Sequence, residues 1–495
     1  MEIKRYCQFT LITMLLVSQS ACLVGPDFKP PISPDIKHYT APPWPHRTAS
    51  ASGNAGSPQH FIKAANISPQ WWYAFHSQKL NRLVCRGLAN SPNLTAAKAV
   101  LRKAQENLNA GVGGLFPAFT AQLSAQRGSS AGFFSSSSSN STVTGSNVPT
   151  GNVFNLFNAS VNIAYVLDIF GGVRREIEAL QSQVDYQYFE WRAAYLTLTG
   201  NIVTTAIAMA SLQTQIRVTQ QLIHEQEEQL KIINQQFNLG GASGADVLAQ
   251  KSQVAQTRAT LPPLEKSREQ TRHALAVLVG SFPSTSCLPI LYLSELKLPT
   301  RLPLSISSSL VRHRPDVLAA EALWKAANAQ VGVATANLYP KFTITGTYGK
   351  SNSVGSNLLG SQSNLWNLGG TLLQPLFKGG MLIAQRRAAI AAYDQSAAQY
   401  QQVVLQAFQN VADTLRALEA DARELRAQKQ AELASRANLN LTRQQFYLGG
   451  VSYLALLDAQ RQYQQTRISL IQAQASRYTD TAALYQALGG GWWNC

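Results

Sequence analysis

An internal duplication constrains the fold of this chain more than any other sequence feature. The segment from Gln236 to Arg258 begins QFNLGGAS, and the segment from Gln445 to Arg467 begins QFYLGGVS. Further similar pairs keep the same order, among them LFPAFT at residues 115–120 and LYPKFT at residues 338–343. Similar segments in a fixed order mark a duplicated structural unit. Each copy is predicted to run helix, strand, strand, long helix, tight glycine turn, helix.

Alternating apolar and polar residues predict two strands in each copy. From Phe157 to Ile169, apolar side chains fall on one face and mostly polar side chains on the other, over a length that can cross a bilayer. Similar alternation follows Phe119 and Phe342, and the less regular segment Leu365 to Phe377 completes the set.

Four membrane strands cannot close a barrel, and hydrocarbon does not tolerate open strand edges. Three chains would contribute twelve strands and leave room for a conduit. The sequence therefore predicts a homotrimer with a twelve-stranded barrel. An ordinary half-buried sheet is the alternative.

Two proline-free stretches, residues 172–239 and 380–448, predict very long helices. Both are rich in Ala, Gln, Leu, Glu and Arg. At 1.5 Å per residue each would extend about 100 Å. In the first copy the return path is split between about Lys79 to Gly111 and about Ala245 to Gly280, with a kink expected at Pro262 and Pro263. No stretch beyond the N-terminus is expected to form a membrane-spanning helix.

The N-terminus predicts export and a lipid anchor. Lys4 and Arg5 precede an apolar stretch that ends in Ser-Ala-Cys22, so residues 1–21 form a secretory signal. Covalent lipid is expected on Cys22, with ordinary cleavage as the alternative, and no other cofactor is expected. Residues 22–78 are predicted to be an extended, acyl-anchored segment, 79–281 the first copy, 282–304 a proline-rich equatorial linker, 305–488 the second copy and 489–495 a C-terminal tail.

Composition and motifs argue against nucleic-acid binding and against catalysis. The net charge is +16, but the basic residues are scattered among acidic neighbours. Because the chain is predicted to be exported, it is not expected to bind nucleic acid. The sequence contains no His-Glu-x-x-His run, nucleophile elbow or phosphate loop, and the cysteine spacing fits no metal site. The chain is therefore not expected to be an enzyme.

The glycine turns and the helices after them carry the candidate site residues. Gly240 and Gly449 can stop the long helices, and Ser243 and Ser452 can cap the return helices.

In the second copy only, Leu454, Asp458 and Arg461 share one helix face at intervals of about one turn. Threefold symmetry would bring these residues close to the axis, so they are predicted to form a periplasmic gate. The alternative is an exposed ion pair within one helix.

Several motifs together resemble the TolC-like outer-membrane factors, in their NodT-type lipoprotein branch. They occur in order along nearly the whole mature chain: GPDFKP at 25–30, WW at 71–72, RHRPD at 312–316, LYP at 338–340, LDAQR at 457–461 and LGGGW at 488–492. The resemblance implies a mainly α fold with membrane β-structure, in which a trimeric twelve-stranded barrel continues into a periplasmic helical tunnel closed by helix tips.

The resemblance also implies a function and partners. Such proteins are exit ducts of tripartite efflux pumps in the Gram-negative outer membrane, working with a periplasmic adaptor and an inner-membrane pump, often of the resistance-nodulation-division type. Adaptor hairpins would dock at the turns, which here comprise Leu239, Gly240, Ser243, Leu448, Gly449 and Ser452. The turn of the second copy lacks one acidic residue, because Ala455 stands where the first copy has Asp246.

Two alternatives stay open. The same duct could serve protein or peptide secretion, because the sequence of the predicted tunnel helices does not indicate which molecules are transported. A long-helical structural or adhesive lipoprotein is the other alternative, although such a stalk would not need paired amphipathic strands.

Overall fold

The computed structural model describes residues 23–32, 39–40, 47–63, 66–130, 152–284, 288–304, 312–360 and 363–494. The predicted signal sequence, Cys22, the serine-rich segment 131–151, Cys287 and Cys495 lie outside these ranges.

Helices and strands follow one another in the order that the duplication predicts. In chain order the elements are β1 His60–Lys63, α1 Gln78–Asn90, α2 Pro92–Gly113, β2 Ala118–Ser130, β3 Asn152–Leu167, α3 Gly172–Asn238, α4 Gly244–Ala259, α5 Leu261–Leu278, β4 Arg301–Leu304, α6 Pro315–Ala336, β5 Lys341–Asn352, β6 Asn364–Leu373, α7 Met381–Tyr447 and α8 Tyr453–Ala487.

The two long helices match each other and their prediction. Both α3 and α7 contain 67 residues, which corresponds to about 100 Å of helix. The start of α3 is fixed by Asp168, whose carboxylate accepts hydrogen bonds from the backbone N–H groups of Val173 and Arg174, both at 3.0 Å. A carboxylate at a helix N-terminus satisfies donors that have no partner within the helix.

Both return segments of the first copy are interrupted. The segment expected from Lys79 to Gly111 is two helices, because Ser91 caps the first and Pro92 begins the second. The break was not predicted, although Pro92 is a signal for it. The expected kink at Pro262 and Pro263 takes the form of a break at Thr260, with both prolines in the first turn of α5.

The chain divides into two compact units, each containing parts of both copies. The sheet unit comprises the described parts of Met1–Lys29, Ala104–Val184 and Leu323–Ser396. The helical unit comprises the described parts of Pro30–Lys103, Asp185–Ala322 and Ala397–Cys495.

In the sheet unit, four antiparallel strands form one sheet in the order β2-β3-β5-β6. Val161 lies opposite both Ala121 on β2 and Tyr348 on β5, and Tyr348 lies opposite Trp366 on β6. Partners in register share a face, so the alternation in each strand adds up to one apolar face across the sheet. This face is open to solvent: Leu123, Trp366 and Leu368 are 79%, 75% and 75% exposed.

The opposite face of the sheet is polar in its middle, around Ser160 and Asn162. Thr347 on β5 donates a hydrogen bond of 2.8 Å to the Asn162 side-chain oxygen on β3. Among the described residues, β2 and β6 each pair with one strand only, so each leaves one edge of the sheet open. A sheet with one apolar exposed face and two free edges is incomplete in water.

Aromatic residues near the N-terminal end of α1 form the centre of the helical unit. Trp71, Trp72 and Phe75 are at most 2% exposed, and Trp71 stacks on Tyr485 of α8 with ring centroids 5.4 Å apart. This packing ties the segment before α1 to the last turns of α8.

A buried arginine and a small parallel sheet organise the segment that was predicted to be extended. Arg477 of α8 is fully buried and donates to the carbonyl oxygens of Ala55 and Ser57 at 2.7 and 2.8 Å. Strand β1 pairs in parallel with β4, which lies inside the predicted proline-rich linker. Neither the buried arginine nor the parallel strand pair was predicted from the sequence.

One helix carries more apolar character than expected. Within the described residues, α3 contains an 18-residue window of mean hydropathy 1.3, which is long and apolar enough to cross a membrane, and half of this window is buried. By length and composition, therefore, the expectation that no stretch after the N-terminus could span a membrane is wrong. Buried α3 side chains, among them Ile202, Val203 and Ile207, show that this apolar surface packs within the helical unit.

Candidate functional site at the helix turns

The two long helices end in the same turn. Gly240 and Gly449 adopt φ of 78° and 76°, a left-handed conformation that glycine adopts without steric penalty. The N–H of Gly241 donates to the carbonyl oxygen of Gln236 at 2.7 Å, and that of Gly450 donates to Gln445 at 2.8 Å. This six-to-one bond is the Schellman arrangement, which satisfies carbonyl groups left over at a helix end.

Serine caps follow both turns, as the sequence predicts. Ser243 accepts from the N–H of Asp246, whose carboxylate in turn accepts from the Ser243 N–H at 3.0 Å. Ser452 accepts from the N–H of Ala455, which cannot return a bond. The first turn is therefore held by a complete capping box and the second by half of one.

The predicted docking residues form two exposed turns of the same geometry. Leu239 and Leu448, which immediately precede the two turn glycines, are both 87% exposed. Exposed leucines on rigid turns offer apolar contact area to a partner.

Leu454, Asp458 and Arg461 lie together on the exposed face at the start of α8. Leu454 is 61% exposed, and Arg461 Nη1 lies 3.5 Å from Asp458 Oδ1. Both charged side chains are largely solvated, so the pair contributes only a few tenths of a kcal/mol within one protomer. The structure brings the three predicted gate residues together on one face of one helix.

Arg461 also contacts the neighbouring helix. Its Nε donates to Gln253 Oε1 on α4 at 2.6 Å, and Gln253 is only 3% exposed. The buried amide therefore fixes the direction of the arginine. Gln253 was not among the predicted site residues, although it lies in the repeated Gln-rich segment after the first turn.

A second side-chain link joins the first turn of α8 to two other helices. Tyr453 Oη donates to Gln250 Oε1 on α4 at 2.6 Å, and Gln250 Nε2 donates to the Gln226 carbonyl oxygen on α3 at 2.7 Å. Burial raises the pKa of Tyr453, with a smaller contribution from the charge of Asp246, so its hydroxyl stays protonated and remains a donor. The start of α8 is thus attached through α4 to α3.

Beside these links lies a groove whose lining combines glutamine side chains with apolar residues such as Leu264 and Ile468. Its volume is about 660 Å³, and it includes Gln215, Gln256, Gln464 and the helix break at Thr260. Arg461 is its one charged lining residue. Within the ranges that the structure describes, no group of three or more His, Cys, Asp or Glu residues could hold a metal ion.

Comparison with known proteins places these features in a family. The family model described as "Outer membrane efflux protein" matches residues 83–281 and 306–490, which correspond to the two copies. The pyoverdine export outer membrane protein OpmQ of Pseudomonas putida is 30% identical over 440 residues, covering 86% of this chain and 88% of the relative. The probable efflux pump outer membrane protein TtgC of the same species is 27% identical and covers 95% of this chain and 93% of the relative.

Solved structures give the same result for the fold. The outer-membrane channel OprN superposes with a TM-score of 0.83 at 27% identity, over 95% of this chain and 100% of the channel.

Proposed function

The chain belongs to the outer membrane efflux protein family, so it is an outer-membrane efflux component and not an enzyme, and we propose that it works as a homotrimeric exit duct. The observation that carries the proposal is the sheet of β2, β3, β5 and β6, with its continuous apolar face and its two free edges. In a bilayer, such a face suits lipid, and such edges must be paired.

A trimer meets both requirements. Three copies of the sheet would close into twelve strands, with β6 of one protomer beside β2 of the next, and the polar face around Asn162 and Thr347 would line the interior. Exposed apolar side chains on α7, such as Ile383, Leu405 and Leu441, give the helices of neighbouring protomers surface to pack against.

The cargo proposed is small molecules. Relatives are named for pyoverdine export and for efflux pumps, which favours small-molecule efflux over protein or peptide secretion. A periplasmic adaptor and an inner-membrane pump, in the manner of resistance-nodulation-division systems, would supply cargo and energy.

The proposed adaptor site consists of the two turns at Leu239 and Leu448. Both leucines are exposed on turns that two backbone hydrogen bonds hold in place. Burying one such side chain against a partner contributes about 1.5 to 3 kcal/mol. Leu239→Glu combined with Leu448→Glu should weaken adaptor binding by about tenfold or more. Val277→Glu is the matched control, because Val277 is 64% exposed at the end of α5, outside the turns.

The proposed gate comprises Leu454, Asp458 and Arg461. In the trimer each would form a ring around the threefold axis, where Asp458 of one protomer could pair with an arginine of its neighbour. Their exposure in the single chain supports this role: Leu454 is 61% exposed, and the Arg461 and Asp458 side chains are 47% and 64% exposed.

Lipid on Cys22 is proposed as a second anchor. Intact-mass analysis of the mature protein tests it, and an unmodified Cys22 or cleavage elsewhere would contradict it. Cys22→Ser should still insert, because a closed barrel holds the protein in the membrane without the acyl chains.

Native mass spectrometry and planar-bilayer recordings test the duct itself. The purified protein should have the mass of three chains and should conduct ions in steps of uniform size. A monomer, or a trimer that never conducts, would contradict the proposal.

A further inference from the structure

The residues that follow Cys22 lie in a fixed position against the sheet unit. The N–H of Val24 donates to the carbonyl oxygen of Phe170 at 3.3 Å. In return, Arg175 Nε donates to the carbonyl oxygen of Val24 at 3.1 Å, and Arg175 Nη2 donates to that of Gly25 at 3.3 Å. We call residues 23–28 the N-terminal arm.

Arg175 holds one side of the arm. Its side chain is 2% exposed, and its guanidinium pairs with the Asp27 and Glu178 carboxylates at 2.7 Å each. If the arm left, Arg175 would keep only Glu178 as a charged partner. A buried guanidinium stripped of most of its acceptors is strongly unfavourable, so the arm and Arg175 stabilise each other.

The other side of the arm contacts α6, which belongs to the second copy. Asn328 Nδ2 donates to the carbonyl oxygen of Pro26 at 2.8 Å, and the ring of Phe28 meets the ring of Trp324 edge-on at 5.3 Å. The arm therefore bridges α3 of the first copy and α6 of the second.

Gly25 allows the closest approach. It has a φ of 97°, and a Cβ at this position would lie 2.5 Å from the Gly332 Cα atom. Backbone atoms cannot move aside as a flexible side chain can, so only glycine fits here.

The arm begins at the level where the strands end. Phe170 lies between β3 and α3, and it stacks on Tyr339, which precedes β5, with ring centroids 4.7 Å apart. Aromatic residues at the ends of membrane strands are typical of the bilayer interface. Phe170 and Tyr339 therefore mark the rim of the proposed barrel.

We infer that the N-terminal arm is a clamp that holds the acylated N-terminus at this rim. Cys22 precedes Val24 by two residues, so at most about 7 Å of backbone separates it from the residue that contacts Phe170. The acyl chains would then enter the adjacent leaflet beside the strands. The lipid part of this inference rests on the proposed modification of Cys22, whereas the clamp itself rests on the arm contacts alone.

Hydrogen exchange on the full-length protein in lipid nanodiscs tests the clamp. In the wild type, the Val24 amide, whose N–H is bonded to the Phe170 carbonyl oxygen, should exchange at least about tenfold more slowly than in an unstructured chain. Gly25→Ala should abolish this protection, because the new methyl group overlaps the Gly332 backbone. Gly53→Ala is the matched control: Gly53 has a φ of 96°, but a Cβ there meets nothing within 4 Å.

The outcomes separate the clamp from the anchor. Loss of Val24 protection in Gly25→Ala with retention in Gly53→Ala supports the clamp, and rapid exchange of the Val24 amide in the wild type overturns it. If Gly25→Ala does not assemble, Asn328→Ala, which deletes one hydrogen bond to the arm, should raise arm exchange about threefold to tenfold, and unchanged exchange refutes the clamp. The intact mass of the protein is measured on the same samples. If Cys22 is unmodified and the arm is still protected, the proposed lipid modification is refuted and the clamp is supported.

Discussion

Removing the Tyr453 hydroxyl should loosen the start of α8. Tyr453 is 3% exposed, and its Oη atom lies 2.6 Å from Gln250 Oε1, which is buried as well. Tyr453→Phe keeps the ring against Phe446, whose centroid is 5.3 Å away, and deletes only the donor. The Gln250 oxygen is then left without this partner inside the protein.

The expected magnitude follows from that unsatisfied acceptor. A buried polar atom that loses its partner costs about 1 to 3 kcal/mol. This free energy corresponds to an opening equilibrium shifted by about fivefold to 150-fold in each protomer. Amides in the first two turns of α8 should exchange faster by this factor, and the channel in planar bilayers should open more often.

The matched control is Tyr447→Phe. Tyr447 lies at the end of α7, six residues before Tyr453, and is 51% exposed. Its hydroxyl can be replaced by water, so this variant should behave as the wild type. The reasoning fails if exchange at residues 453–460 is unchanged in Tyr453→Phe, or if Tyr447→Phe has the same effect.

Three further predictions concern the gate and the helical unit. Asp458→Ala with Arg461→Ala should raise single-channel conductance in planar bilayers and admit large antibiotics such as vancomycin, because the proposed rings of charged side chains around the threefold axis are removed; unchanged conductance from a correctly assembled double variant would remove both residues from the gate. Arg477→Met should remove three hydrogen bonds to residues 48–57, lower the local opening free energy of residues 47–59 by about 3 kcal/mol and speed their exchange about 100-fold. Burial, reinforced by the neighbouring Asp480 carboxyl, raises the pKa of Asp421 above its usual 3.8. Folding therefore favours the protonated form, and the stability that it confers is lost as pH rises through the raised value. The wild-type protein should accordingly be less heat-stable at about pH 8 than at about pH 5, and Asp421→Asn should reduce that difference.

The long-range framework of this fold could be predicted from the sequence because it depends on periodicity. The end of α3 at Asn238 and that of α7 at Tyr447 fall within one residue of the prediction, since glycine turns stop both helices. Alternation likewise predicted the strands. Their register then unites the apolar faces, as in the pairing of Val161 with Tyr348.

Contacts between single side chains could not be predicted in this way. Gln253 and Gln250 are two glutamines among many, and only the approach of α4 to α8 selects them as partners of Arg461 and Tyr453. Strands β1 and β4 have four residues each and lie about 240 residues apart, so neither length nor periodicity distinguishes them from loop. For the predicted site residues, the structure shows how exposed they are and which of them cap helices. Their roles in docking and gating depend on contacts with partner chains.

The free edges of β2 and β6 have a genetic consequence. If each protomer completes its neighbours' sheets, a chain with a damaged edge strand spoils every trimer that it enters, however sound the other two chains are. Cells expressing intact and damaged copies equally would, with random mixing, assemble roughly one fully intact trimer in eight. Edge-strand mutations should therefore be dominant, whereas loss of the whole gene should be recessive to a second intact copy.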